Sequence, residues 1–392
     1  MRAAELAKKA DAVIVCVGND PMIVAREMYD RKTLSLPAHD SALAKAVYSA
    51  NNKCVMAVVS SYPFSICEEQ KYMPAIIYTT HAGPELGNAF ADVISGKYSP
   101  AGRLAQTWYK SEYELAPIEC YDIIENDMTY LYYRGKPLYP FGYGLSYAKF
   151  EYSDFDVKEN GDVISVSLDV ANVSETDSDE VVQIYFRMEN PSVKRPLRQL
   201  VAFARERIEG GSKRHVKFDI KKSELRFYDV SRERFAVEQG RYTFMAGASS
   251  EDIRLTKTID VSGEIIPPRE LCKGVKAKNY DGKCGAKMKY SKKLEQHYML
   301  GGGLIYNNCV LGEADSIEIV CGSRVNTGKI TVRYGGETLC EAEVKPTVDV
   351  TEFETVTAQF DKAVLAGIDR EKPAAFELWM PEQIYILGFR TY

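Results

Sequence analysis

Metal-ligand spacing, long apolar runs and blocks of basic residues are all missing from this chain of 392 residues. Its nine cysteines (Cys16, Cys54, Cys67, Cys120, Cys272, Cys284, Cys309, Cys321 and Cys340) are scattered with no CxxC pair, and there are four histidines, which excludes the common zinc modules. An odd, dispersed set also argues against a disulfide framework. In runs such as Val13-Ile14-Val15-Cys16-Val17 a thiol acts as a small buried hydrophobe, so reduced thiols in a cytoplasmic setting are expected. No apolar run approaches the roughly 20 residues of a membrane-spanning helix. The opening MRAAELAKKA reads as an amphipathic helix without a signal-peptide apolar region, so neither membrane association nor export is expected. Lys and Arg number 50 against 55 Asp and Glu, a net charge of −5, so a nucleic acid or an anionic membrane is not an expected partner. Val17-Gly18-Asn19-Asp20 lacks the spacing of a dinucleotide-binding loop, and nothing resembles a Walker loop or a nucleophile elbow.

What is present is ordinary globular material, 45% hydrophobic and 27% charged, and its length predicts two or three domains at roughly 150 residues each. Residues 1–150 alternate helical and strand patterns: helix Arg2 to Ala10, strand Ala12 to Val17, helix Ser41 to Ala50, strand Cys54 to Ser60, strand Ala75 to Thr79, helix Pro84 to Ser95. The apolar strands predict an α/β domain with a parallel sheet covered on both faces. Over 151–262 the pattern changes to alternating short strands with breaks at Asn160-Gly161 and Gly210-Gly211, predicting five to seven strands in a small β-sandwich. Ile265 to Arg269 reads as a linker. Residues 270–392 form a second all-β segment of jelly-roll type, with Ala375 to Trp379 and Ile384 to Phe389 as its last two strands.

The chemistry concentrates after the first strand, in Ala25-Arg26-Glu27-Met28-Tyr29-Asp30-Arg31-Lys32-Thr33-Leu34-Ser35-Leu36-Pro37. A charged loop outside the carboxyl end of a parallel strand is where open α/β sheets bind ligands. The bland alternative is a solvated charge network. His81 follows the third strand at a plausible site edge, against the alternative of a hydrogen-bonded structural histidine. Glu85 opens a helix, where the helix dipole favours a carboxylate. Tyr121, Asp122, Tyr130, Tyr132, Tyr133 and Tyr139 either line a sugar cleft or simply pack. Tyr298, Tyr306, Trp379 and Tyr385 are candidate sugar-stacking platforms, with a buried core position the expectation for Trp379.

The Glu27 to Pro37 run resembles the E-x-x-D-R-x-x-L-x-L-P loop of glycoside hydrolase family 3. His81-Ala82-Gly83-Pro84-Glu85-Leu86-Gly87-Asn88-Ala89 with Ala91-Asp92-Val93, Ser99-Pro100-Ala101-Gly102-Arg103-Leu104, and Tyr139-Pro140-Phe141-Gly142-Tyr143-Gly144-Leu145-Ser146-Tyr147 are similar to three further motifs of its C-terminal α/β domain, in the family's order. Asn172, Glu180 to Tyr185, Arg195-Pro196 and Gly240-Arg241-Tyr242 resemble the fibronectin type III-like domain that often follows. Ala314 to Ile319 and Leu387-Gly388-Phe389 are more loosely similar to carbohydrate-binding modules of family six.

The resemblance implies hydrolysis of terminal β-linked sugars with retention, β-glucosidase before β-xylosidase, without metal or organic cofactor. Retention uses two carboxyl groups about 5–5.5 Å apart. By motif position Glu27 is the acid/base residue, while Asp30 and Arg31 hold the loop, Arg31 by pairing a carboxylate. His81 joins them as a substrate-binding candidate. Met28 stands where many members carry glycine. The family's nucleophile belongs to an N-terminal TIM barrel with no counterpart here, and no strand precedes Ala12, so the chain alone is expected to be inactive. A separate barrel-bearing chain would complete it. The alternative is a non-catalytic carbohydrate-binding or scaffolding fragment.

Overall fold

The computed structural model describes every residue except 1, 21, 23, 24, 26, 27, 119 and 348–351. Two compact units divide the chain: residues 1–187 with 196–221 and 242–259, and residues 188–195 with 222–241 and 260–392.

The first unit opens with α1 (Arg2–Ala7), β1 (Val13–Gly18), α2 (Ala38–Ala50), β2 (Cys54–Val59), α3 (Cys67–Tyr72), β3 (Ala75–Thr79) and α4 (Leu86–Ile94). The three strands form a parallel sheet in the order β1-β2-β3. Val15, Val17, Cys54, Met56 and Val58 turn one face onto Ala44 and Val47 of α2, with Phe64, Ile66 and Trp108 completing the core. Coverage of both faces is not what β1 shows: Val15 and Val17 are buried, whereas Cys16 is exposed and Ile14 is 52% exposed. With consecutive strands laid side by side, right-handed crossovers put their connecting helices on one face. Helix α4 buries none of its residues. The short α3 was not foreseen, because CEEQKY carries too little apolar periodicity to stand out.

A one-turn helix α5 (Thr129–Tyr132) precedes seven long strands: β4 (Phe150–Asn160), β5 (Val163–Asn172), β6 (Ser178–Met188), β7 (Gln199–Ile208) and β8 (Lys213–Lys221), then, after the small hairpin of β9 (Phe227–Asp229) and β10 (Arg234–Ala236), β11 (Gly240–Gly247) and β12 (Ile253–Val261). They pair as β4-β5-β8 and β12-β11-β6-β7, the three-plus-four division of a fibronectin-like sandwich. Strand β5 alternates strictly, with Ile164, Val166, Leu168 and Val170 buried. The breaks at Asn160-Gly161 and Gly210-Gly211 are the β4–β5 and β7–β8 turns.

The second unit holds a branched sheet: β13 (Arg269–Glu270), β14 (Val275–Lys276), β15 (Gly282–Cys284), β16 (Lys287–Ser291), β17 (Gln296–Val310), β18 (Ser316–Ser323), β19 (Gly328–Tyr334), β20 (Glu337–Val344), β21 (Glu354–Gln359), the short helix α6 (Lys362–Gly367) and β22 (Ala374–Thr391). Leu304, Ile317, Ile319, Ile330, Val332, Phe376, Leu378 and Ile386 are fully buried in its core. The two closing strands expected from sequence are one strand of 18 residues, β22. Its register against β17 jumps from Leu300↔Tyr385 to Gly302↔Met380, where Pro381 and the left-handed Gly301 and Gly302 bend the pair without ending it. The linker reading fails at its last residue. Arg269 is buried in β13, its guanidinium 3.1 Å from the Asp281 carboxylate.

Candidate functional site

Three loops meet at the carboxyl ends of β1, β2 and β3. Gly18 lets the first two strands close up: its φ is +146°, and a β-carbon there would sit 1.9 Å from the Val59 carbonyl oxygen. Asn19 follows, buried, its N–H donating to the Val59 carbonyl at 3.1 Å and its side-chain oxygen accepting from the Ser61 N–H at 3.2 Å. His81 then ties the third strand to both. Its Nε2–H donates to the Asn19 carbonyl at 3.1 Å, which in the neutral ring leaves Nδ1 to accept from the Ser61 hydroxyl at 2.7 Å. The sequence singles out His81 and the Val17 to Asp20 stretch that holds Asn19, but not Ser61, whose signal was its position just past the end of β2.

Glu27 lies outside the described residues, so of the expected catalytic loop the structure speaks to its flanks. The Asp20 carboxylate accepts from the Met22 N–H at 2.7 Å, turning the chain as it leaves the sheet. Met28 has φ of +68° and is 92% exposed, so the backbone takes at methionine the left-handed conformation that glycine adopts freely. Asp30 is exposed. Arg31 corrects the expectation of a carboxylate partner: its guanidinium stacks 4.2 Å from the centre of the Tyr62 ring and 5.2 Å from that of Phe64, and it makes no ion pair among the described residues. Its Nη1 is buried without a hydrogen bond, and burial pulls the guanidinium pKa below its ordinary value. The loop is therefore anchored on the aromatic pair after β2. Leu34 and Ser35 close it through the Ser65 N–H to Leu34 carbonyl bond at 2.7 Å.

The other motif residues are structural. Arg103 donates to Glu180 at 2.8 Å with both side chains nearly inaccessible, and the Tyr152 hydroxyl donates to the same carboxylate at 2.7 Å. Gly142 has φ of +80°, and a β-carbon there would lie 2.0 Å from the Gln183 side-chain oxygen. Gln183 in turn donates to the carbonyls of Gly142 and Ala248 at 3.1 and 2.6 Å. Glu85 caps α4 without a backbone contact from its side chain, accepting instead from Asn88. Asp122 accepts from the N–H groups of Ile124 and Glu125 in its own turn. Tyr130 stacks on Phe141 with ring centres 4.1 Å apart, Tyr132 is buried, and Tyr133 and Tyr139 pack edge-on against Tyr109 and Trp108, leaving Tyr121 exposed. A cavity of about 1060 Å³ runs along β3 and α4, lined by Ile76, Tyr78, Phe90 and Tyr143; of the three-loop cluster it reaches Ser61 alone.

Comparison with known proteins agrees with this architecture. Residues 1–147 match the glycosyl hydrolase family 3 C-terminal domain and residues 180–250 a fibronectin type III-like domain. The chain is 33% identical over 279 residues to a β-glucosidase of Kluyveromyces marxianus, covering 67% of this chain and 32% of that one. It is 31% identical over 280 residues to thermostable β-glucosidase B of Acetivibrio thermocellus, covering 67% and 37%, and 30% identical to a xylan 1,4-β-xylosidase of Xylanibacter ruminicola, covering 64% and 30%. The crystal structure of the Kluyveromyces marxianus enzyme in complex with glucose superposes with a TM-score of 0.62 over 67% of this chain and 33% of that one, at 32% identity. A Bifidobacterium adolescentis family 3 β-glucosidase gives the same TM-score at 29% identity over 68% and 41%. The chain thus spans about a third of the length of the curated relatives it matches. With its α/β domain, its fibronectin-like sandwich and the motifs that join them, the chain belongs to glycoside hydrolase family 3.

Proposed function

We propose that this chain supplies the acid/base carboxylate, Glu27, of a retaining β-glycosidase acting on terminal β-linked glucose or xylose. The observation that carries the reading is the motif itself: E-M-Y-D-R follows β1 in the sequence, its Arg31 is anchored on Tyr62 and Phe64, and the chain's relatives include β-glucosidases and a β-xylosidase. Protonated Glu27 would donate to the glycosidic oxygen; once ionised, it would activate the water that releases the sugar. In this reading Asp30 and His81 are sugar-hydroxyl partners, and His81 is held in one tautomer by Asn19 and Ser61. The second carboxyl group comes from a TIM barrel, carried by a partner chain or by the same polypeptide. The nine unpaired thiols suit a reducing, cytoplasmic setting.

Release of nitrophenol from a panel of nitrophenyl β-glycosides tests this, with the chain alone and mixed with a family 3 barrel chain. Turnover in the mixture alone is the expected result. Silence in both would leave a non-catalytic fragment, and turnover by the chain alone would demand a second carboxylate within it.

A further inference from the structure

Trp379 is not in the core. Along β22, Phe376, Leu378 and Met380 are buried, and Glu377 and Trp379, of opposite parity, are half-buried on the outer face. The other candidate platforms are excluded, since Tyr298, Tyr306 and Tyr385 are all buried. Directly opposite Trp379 on β17 is Gly303. A β-carbon on Gly303 would lie 2.6, 2.7 and 2.9 Å from indole Cζ3, Cε3 and Cη2. Three consecutive atoms of the six-membered ring at nearly one distance put that ring face-on over the glycine. The indole therefore lies flat on the sheet, with its second face turned outward.

Polar groups frame this plane. The Glu377 carboxylate accepts the indole N–H at 2.6 Å, which locks the ring's orientation. On the next strand, β19, Thr331 stands opposite Trp379 and Arg333 opposite Glu377. Arg333 makes no ion pair among the described residues, and its Nε is buried without a hydrogen bond. One cation and one anion beside a flat apolar surface suit a neutral ligand. The outermost strand, β20, adds Glu343 opposite Lys329 and Glu341 opposite Thr331; Lys329 pairs Glu341 at 2.7 Å, so β20 brings more negative charge than Lys329 offsets, which disfavours a polyanion. A pyranose has the matching form: a flat C–H face for the indole, and ring-plane hydroxyls that accept from a guanidinium fork and donate to a carboxylate.

We propose that this face of the second unit binds a pyranose unit of a neutral β-linked glycan, stacked on Trp379 and held through its hydroxyls by Arg333, Thr331 and Glu377. The proposed event is binding alone and involves no hydrolysis.

The chain has two tryptophans, Trp379 and the buried Trp108, so ¹⁵N-tryptophan labelling gives two indole N–H resonances, assigned with Trp379→Phe. Titration with cellohexaose and with xylohexaose should move the Trp379 resonance saturably and leave Trp108 in place. Arg333→Ala should keep the parent's far-UV circular dichroism and two sharp indole resonances, showing an intact fold, and weaken binding about tenfold, as loss of a charged hydrogen bond does. If Trp379 merely shields the glycine backbone, as aromatic residues do across a strand pair, neither hexaose will shift it at millimolar concentration. That result, or undiminished binding by Arg333→Ala, would overturn the proposal. Because the readout is binding, it stands or falls independently of the catalytic reading.

Discussion

The parallel α/β layer carries every residue assigned a chemical role in hydrolysis, yet it is the less completely packed of two regions. In β1 Ile14 is 52% exposed, no residue of β3 is buried, and α4 buries none of its own. The β-sheet of the second unit instead buries Phe376, Leu378, Ile384 and Ile386 completely along a single strand. Motif content and packing are separate properties. Family 3 motifs survive in the first region because they are local devices, a glycine that admits a carbonyl or an arginine that reaches a carboxylate, whereas a closed core needs surfaces on both sides of the sheet.

The comparison can be broken first at the ion pair that joins the α/β motifs to the fibronectin-like sandwich. Arg103→Ala removes the nearest cation from the Glu180 carboxylate, which is 2% exposed and keeps the Tyr152 hydroxyl and, 3.9 Å away, Arg254, and should destabilise the first unit by about 3 kcal/mol or more. Hydrogen exchange would show protection lost in β2 and β6 and retained in β18 and β22. Equal losses in both regions would mean that the chain unfolds as one body. A matched pair of truncations sharpens the contrast: Leu378→Ala in the filled core should cost about 2–5 kcal/mol, but Phe90→Ala on α4 about 1 kcal/mol or less in urea unfolding. Comparable costs would show that α4 is packed after all. Smaller still, Met28→Gly should relieve a left-handed methionine and stabilise by up to about 1 kcal/mol.

The smallest effect expected is on acid stability. Asp169, through hydrogen bonds to Lys213 and His215, is held down to about 2 from an ordinary 3.8, and Asp156, bonded to Lys158 and Lys257, likewise to about 2. Their contribution is complete above pH 4 or so and lost as pH falls toward about 2, when the folded state must also take up the protons. Both pairs face solvent, so thermal melts should show a modest acid-side loss in the first unit that added salt diminishes. A loss on the alkaline side of neutrality would contradict this assignment.

The sequence made legible what depends on local pattern. Alternation and the breaks at Asn160-Gly161 and Gly210-Gly211 marked the sandwich strands, and the Glu27 to Pro37 run and the Tyr139 to Tyr147 motif stood out because they are local patterns of charge and glycine at the ends of elements. Arg31 was misjudged because its partners, Tyr62 and Phe64, come from a loop some thirty residues away whose approach no spacing reveals. Strands β15 to β17 went unread since glycines at 282, 285 and 301–303 interrupt their alternation. Trp379 was placed in the core by its apolar neighbours, although Glu377 shares its parity and pointed outward all along.

The central claim is the role of Glu27, and the most direct measurement compares Glu27→Gln with the parent, in the assembly that carries the barrel, on substrates of graded leaving-group ability. An acid/base residue predicts that hydrolysis of glycosides with poor leaving groups collapses while activated aryl glycosides lose far less, because only the former need the proton. Equal losses on both would contradict the account and make Glu27 a structural residue of its loop.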